Sequence, residues 1–173
     1  PPTSVTVSGQ ISFDRVPFSA TARAGLDFSR VTQAPARAVT VEAVADPAGT
    51  VLASTVTDMN GQYMLSVPLN TSMLVRAKAK MQRSGTPAWD FSVRDNTAGD
   101  ALYSLDGGVF SSGTAASSHN LNAGSGWGGS SYTAARAAAP FAILDTVYQA
   151  VNLVLSANAA SVFPALQLGW STR

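Results

Sequence analysis

The chain has 173 residues, a formal net charge of +1 and no cysteine. These features exclude disulfides, thiolate nucleophiles and cysteine-ligated zinc, and the lack of any run of like charges argues against a nucleic-acid-binding face. Charged residues make up only 12% of the chain, with Glu42 the only glutamate and Lys78 and Lys80 the only lysines. Because surface helices are usually built from Glu and Lys, this composition favours strands, turns and loops.

The first strands are predicted by an alternation of apolar and polar side chains. Near the start of the chain the apolar positions are Val5, Val7, Ile11 and Phe13. Residues 14–37 then look like a long connection, and the alternation returns at residues 39–45. The sequence DPAGT at 46–50 has the Pro and Gly of a turn and precedes a further strand at 51–57, so a β-hairpin is predicted here.

The stretch TVTDMNGQYMLSVP, which begins at residue 55, is the most informative one in the chain. Asp58 can accept hydrogen bonds from backbone amides just ahead of it, and Asn60 and Gly61 readily adopt positive φ. We therefore predict a tight hairpin turn that pairs the strand at 51–57 with the next strand, on which Tyr63 lies on the apolar face.

A later segment carries the basic residues Arg76, Lys78 and Lys80, which alternate with apolar ones. This pattern predicts a strand with one buried and one cationic face. The cationic face could bind an anionic glycan or surface, or it could be a solvated face that discourages pairing with other chains. Together with a further alternating segment at 89–93, these short strands predict a mainly β fold, an antiparallel β-sandwich of two sheets.

The composition changes in the second half of the chain. Residues 109–131 are mostly Ser, Gly, Ala, Asn and Thr, which predicts a long irregular loop. Pro140 can then take a first-turn position in a helix over residues 140–155, whose apolar residues recur at spacings of three and four. We expect residues 132–173 to form this helix and a terminal strand, both packed on a sandwich made by residues 1–108. The apolar run looks too short and too polar to span a bilayer.

Three segments, VTVSGQISF, VTVEAVADPAGTVLASTVTDMNGQYMLSVP and VRAKA, resemble the carboxypeptidase regulatory-like domains. The resemblance covers roughly residues 3–81 and implies a secreted protein with an Ig-like or transthyretin-like sandwich. Two later segments, SGWGGSSYTAARAAAPFAILDTVYQAV and FPALQLGW, are similar to a region that leads into a zinc-metallopeptidase-type domain in large secreted bacterial proteins. The His-Glu-x-x-His motif of such a domain does not occur in the sequence, so the resemblance gives no catalytic residue. The start at Pro rather than Met favours a processed or trimmed chain.

The one histidine, His119, lies next to Ser117 and Ser118 in the polar segment. Catalysis through this imidazole would also need an orienting acid and an assembled nucleophile, and the alternative is an exposed loop histidine. The sequence therefore predicts no catalytic residue.

A calcium site is the one metal site that the sequence leaves open. Its candidate ligands are Asp95, Asn96, Asp100 and Asp106. Carboxylate and amide oxygens are the ligands that Ca²⁺ takes, but Asp and Asn beside Gly are also the ordinary residues of turns. No other cofactor is expected.

A predicted interaction surface comes from the aromatic residues of the Gly-rich segment and the helix. Trp127 and Tyr132 lie among glycines and could stack on a sugar or a partner chain, or else fill a hydrophobic gap. The helix residues Phe141, Leu144 and Tyr148 need an apolar partner surface, either on their own sandwich or on a neighbouring subunit.

These features favour a non-catalytic, extracellular structural or interaction module of a secreted or cell-surface bacterial protein. Its expected partner is a protein, namely another domain of a larger protein or a second copy of the chain, and not a nucleic acid. Two alternatives stay open. One is a self-assembling filament subunit joined by β-strand addition, and the other is the amino-terminal fragment of a metallopeptidase-like enzyme.

Overall fold

The computed structural model describes residues 3–21 and 25–172, which form a mainly β, largely antiparallel fold with one long helix late in the chain. The predicted mainly β fold with a helix late in the chain is confirmed. The strands form three sheets, however, instead of the two that the sequence predicts. In chain order the strands are β1 (Ser4–Arg15), β2 (Thr32–Pro35), β3 (Thr40–Ala45), β4 (Val51–Val56), β5 (Gln62–Pro68), β6 (Ser72–Lys78), β7 (Lys80–Arg83), β8 (Trp89–Asp95), β9 (Ala101–Leu102), β10 (Ser104–Asp106), β11 (Phe110–Ser111), β12 (Ser117–Ser118), β13 (Leu121–Ala123) and β14 (Leu166–Trp170). A short 3-10 helix lies at Phe28–Arg30, and the helix α1 covers Ala138–Ala157.

The long strand β1 is the centre of the first sheet. It pairs antiparallel with β5 along its first half and with β2 near its end, while β12 and β13 pair with it in parallel. Val7, Ile11 and Phe13 are fully buried, as their alternation with polar residues predicts. This buried side of β1 faces the core.

The remaining strands form two further sheets, whose strands alternate in blocks along the chain. In one sheet β3 lies between β4 and β6, and β10 and β11 also pair with β6. In the other, β8 pairs with β7, β9 and β14. Only Ala79 separates β6 from β7, and its amide donates a hydrogen bond to the carbonyl of Tyr103. One hydrophobic core joins side chains from all three sheets and from α1.

The predicted pairing of the strands on either side of the Asp58 turn is wrong. β4 pairs with β3 and β5 pairs with β1, so the turn connects two different sheets instead of closing a hairpin. The Asp58 side chain does accept hydrogen bonds from the amides of Asn60 and Gln62, both at 2.8 Å. Of the two residues expected at positive φ, only Gly61 adopts it, at 73°. β1 offers β5 seven consecutive backbone partners, and this pairing turns Tyr63, Leu65 and Val67 of β5 into the core.

The segment 109–131, expected to be an irregular loop, contributes three short strands to the sheets. β11 pairs with β6, and β12 and β13 pair with β1. Backbone pairing needs no apolar side chain, so strands this short and polar leave no alternation in the sequence. Within β13, however, Ala123 is fully buried in the core.

Helix α1 packs on the sandwich through its apolar side. Phe141, Leu144 and Val151 are buried, and Asp145 forms an ion pair with Arg37 at 2.6 Å. The helix begins before Pro140 and continues beyond residue 155, so it has 20 residues, and an 18-residue window of it has a mean hydropathy of 1.4. By length and composition alone such a helix could cross a membrane, and about a third of this window is buried inside the chain. After α1, β14 pairs with β8 of the same chain.

Candidate functional site

Three aromatic side chains form a cluster near the start of α1. The rings of Phe28 and Trp127 stack with their centroids 4.1 Å apart, and the ring of Tyr132 meets both of them edge-on. Trp127 and Tyr132 face each other across a backbone bridge. The bend that allows this needs Gly126, which has a φ of 75° and whose added Cβ would collide with the carbonyl oxygen of Ala134. The glycine-rich segment is therefore an ordered aromatic hairpin.

The side chain of Arg136 completes this cluster, because its guanidinium lies over the Tyr132 ring at 3.5 Å from the centroid. A cleft of about 260 Å³ opens beside it. The first turn of α1 and the side chains of Val16, Leu26 and Phe28 form its apolar walls. We call this cleft, with its walls and Arg136, the arginine cleft.

Sequence reasoning identified Trp127 and Tyr132 but missed Phe28 and Arg136. Phe28 lies in a connection without regular spacing, and Arg136 lies in an alanine-rich stretch ahead of the helix. The one available signal for Arg136 was its position four residues after Tyr132, since an arginine close in sequence to an aromatic residue can place its guanidinium over the ring.

The helix residues predicted as an interaction surface are not available for one. Phe141 and Leu144 are buried against the sandwich, and Tyr148 is half-buried under the guanidinium of Arg37, 5.0 Å from the centroid of its ring. These side chains anchor α1 to its own chain because the sandwich offers the nearest apolar surface.

The opposite side of α1 is also partly apolar. Its exposed apolar residues are Ala150, Leu153 and Val154, which we call the outer face of α1. Ile143 and Val147, at the edge of this side, pack partly on the core. Leu153 is 74% exposed and Val154 is 45% exposed. The one charged residue of the helix, Asp145, is buried in its ion pair with Arg37. The outer face is therefore an uncharged apolar surface on a helix whose position is fixed from the other side.

His119 is partly buried. Its ring stacks on Phe110 with centroids 3.6 Å apart, and burial lowers the pKa of its imidazole below the ordinary value. Nε2 of the ring lies 3.2 Å from Oγ of Ser117, whereas Ser118 makes no such contact. Within residues 3–21 and 25–172, no carboxylate pairs with this imidazole. The expected loop histidine is thus a packed residue with a serine neighbour.

The structure does not bring the candidate calcium ligands together. Asp106 forms a two-pronged ion pair with Arg76 on the neighbouring strand, at 2.6 and 2.7 Å. Asp95 accepts hydrogen bonds from the amide and hydroxyl of Thr97, as in an ordinary turn beside Asn96. Asp100, with a φ of 56°, lies in the turn that follows. In the part of the chain that the structure describes, no group of three or more His, Asp or Glu side chains could hold a metal ion.

The strand face expected to be cationic is neutralised by neighbouring strands. Lys78 pairs with Glu42 at 2.8 Å and Lys80 pairs with Asp90 at 3.5 Å, as Arg76 pairs with Asp106. An anionic glycan or surface would have to displace these carboxylates. The carboxylates come from other strands, so the sequence of this strand alone did not indicate them.

Comparisons with known proteins add little to this description. No family model matches the chain, and no curated protein matches it. Among solved structures, the chain is similar to part of a 9R-lipoxygenase from Cyanothece PCC8801, with 15% sequence identity and a TM-score of 0.31. The match covers 70% of this chain and 16% of the lipoxygenase chain. A likeness this loose carries no argument about activity, so the function is argued from the residues themselves.

Proposed function

We propose that the chain is a non-catalytic structural or interaction module of a secreted or cell-surface protein, in which the sandwich holds α1 so that its outer face binds another protein. The observation that supports this proposal is the outer face itself. Leu153 and Val154 stay exposed although the inner side of the same helix is already packed. Contiguous exposed apolar surface of this kind marks interaction sites in soluble domains.

The attachment of α1 makes this surface suitable for binding. The buried Leu144 and the ion pair between Asp145 and Arg37 fix the helix without help from the outer face. A partner therefore meets a helix that is already ordered, and it does not have to supply the free energy of ordering it. Full burial of an exposed side chain such as Leu153 by the partner would contribute about 1.5 to 3 kcal/mol to the free energy of binding.

A protein partner fits the outer face better than a lipid surface. Helices that lie in a membrane interface usually carry Lys and Arg on their polar side, which attract anionic headgroups. Helix α1 has no basic residue, and its exposed polar side chains, such as Thr146, Gln149 and Asn152, are uncharged. The simplest protein partner is a second copy of the chain, because a two-fold axis would place the same uncharged residues against each other.

Sedimentation velocity over a series of protein concentrations tests this proposal. We expect the chain to form dimers as its concentration rises, and we expect Leu153→Asp to abolish them without changing the melting temperature. Met64→Asp is the matched control, because Met64 is 67% exposed on a sheet strand away from α1. A monomer at every concentration, or equal loss of dimer in both variants, would contradict the proposal. Binding to lipid vesicles that Leu153→Asp removes would replace the protein partner with a membrane.

A further inference from the structure

The arginine cleft has the features of a small binding site. Val16, Leu26, Phe28, Tyr132 and three alanines of α1 line it, and the apolar surface predominates over the polar surface. Its volume of about 260 Å³ is smaller than that of clefts which bind drug-sized ligands, roughly 300 to 1,000 Å³. The cleft therefore suits a ligand with one apolar group of the size of a single side chain.

The charge in this cleft is available to a ligand. Arg136 is held by Tyr132 and makes no ion pair with any carboxylate of residues 3–21 and 25–172. A guanidinium presents several N–H donors in one plane, and a carboxylate is the group that matches two of them at once. Stacking on the Tyr132 ring restricts the side chain before any ligand arrives, so less conformational entropy is lost on binding.

One carboxylate, that of Asp14, also lines the cleft. Its Oδ1 accepts a hydrogen bond from the side-chain amide of Asn122 at 2.9 Å, and its Oδ2 accepts one from the backbone amide of Ser125 at 2.8 Å. Asp14 is thus held in place by its own chain. Its negative charge repels phosphates and dicarboxylates, which carry two negative charges, more strongly than monocarboxylates, which carry one. Among anions the cleft therefore favours monocarboxylates.

We propose that the arginine cleft binds a monocarboxylate attached to one apolar group, with the carboxylate on Arg136 and the apolar group against Phe28, Leu26 and the first turn of α1. This site is separate from the outer face of α1 and does not depend on the proposed function. Two sources offer the same chemistry, namely a free aromatic or branched carboxylic acid and the carboxyl-terminal residue of a protein chain.

Titrations with small probes, followed by NMR, test the site. The indole N–H resonance of Trp127 is a local reporter because its ring stacks on Phe28, which lines the cleft. We expect N-acetyl-phenylalanine to shift this resonance with a millimolar Kd, and we expect N-acetyl-phenylalaninamide, which lacks the negative charge, to bind at least ten-fold more weakly. If 3-phenylpropanoate binds as tightly as the acetylated amino acid, the source is a free acid. If a short peptide ending in phenylalanine binds more tightly, the source is a chain terminus.

Matched variants assign the binding to Arg136. Arg136→Gln is expected to weaken binding of N-acetyl-phenylalanine at least ten-fold, and Ala142→Leu, which fills the cleft, is expected to abolish it. Arg83→Gln is the control, because Arg83 also lies over an aromatic ring, that of Trp89 at 5.3 Å, but outside this cleft. Equal binding of the acid and the amide, unchanged binding in folded Arg136→Gln or Ala142→Leu, or no shift at tens of millimolar probe would overturn the proposal.

Discussion

The phenolic hydroxyl of Tyr63 donates a hydrogen bond to the backbone carbonyl of His119 at 2.6 Å. This bond ties β5 to the segment between β12 and β13, on the other side of β1. Gly9 lies between them, and a Cβ added there would collide with the same carbonyl oxygen. The tyrosine of the turn motif thus holds in place the polar segment that the sequence alone indicated as a loop.

We predict that the Tyr63 hydroxyl makes the folded chain less stable at alkaline pH. Burial raises the pKa of Tyr63 from 10.0 to about 12. Between these two values the unfolded chain loses the tyrosine proton while the folded chain keeps it, so the free energy of unfolding falls as the pH rises. Urea denaturation of Tyr63→Phe should show a smaller fall over this pH range than the parent chain. At neutral pH the variant should be less stable by about 1 kcal/mol, because the hydrogen bond is lost.

The control for this prediction is Tyr103→Phe, since burial also raises the pKa of Tyr103. In Tyr103→Phe the free energy of unfolding should still fall with rising pH, because Tyr63 is still present and still loses its proton more readily in the unfolded chain. If Tyr63→Phe and the parent chain lose stability in parallel between pH 10.0 and about 12, the Tyr63 hydroxyl is not the cause.

Gly61 is predicted to be hard to replace. It combines a φ of 73° with a backbone so close to β1 that a Cβ would collide with the carbonyl oxygen of Ile11. Gly61→Ala should therefore destabilise the chain by at least about 2 kcal/mol in chemical denaturation. Gly49→Ala shares the positive φ, at 71°, but meets no atom within 4 Å, and should cost about 1 kcal/mol. Equal effects of the two substitutions would refute the close approach to Ile11.

Leu144 tests whether α1 is part of the folded core. Its side chain is 0% exposed, so Leu144→Asp places an unpaired charge in the core and should reduce the free energy of unfolding by more than about 3 kcal/mol. Leu153→Asp, on the outer face of the same helix, should change it by less than about 0.5 kcal/mol. A melting temperature unaffected by Leu144→Asp would mean that α1 does not dock on the sandwich in solution.

The non-catalytic reading predicts that the chain hydrolyses no peptide or ester at an enzymatic rate, with or without added Zn²⁺. Ser117 lies 3.2 Å from Nε2 of His119, but the imidazole is stacked on Phe110 and has no carboxylate partner among the described residues to orient it as a base. Peptidase and ester-hydrolysis assays check this. Activity that His119→Ala abolishes would show that the serine and histidine act as a catalytic pair.

Much of the local structure could be predicted from the sequence by itself. The alternation of Val7, Ile11 and Phe13 indicated a strand with one buried face, and the spacing of Phe141 and Leu144 indicated the docked side of the helix. The hydrogen bonds of Asp58 around its turn were expected as well. These features depend on residues within a few positions of one another, so backbone periodicity and turn chemistry determine them.

Only the tertiary structure decided which segments meet. β5 pairs with β1 instead of β4, and the polar stretch after residue 108 pairs with β1 and β6. Phe28 stacks on Trp127, and Arg76 forms an ion pair with Asp106. Each of these contacts joins distant parts of the chain, and several strands offered equally good local patterns for them. The choice among such partners depends on the packing of the whole core, because burying all the apolar faces at once selects one arrangement that no short stretch of sequence encodes.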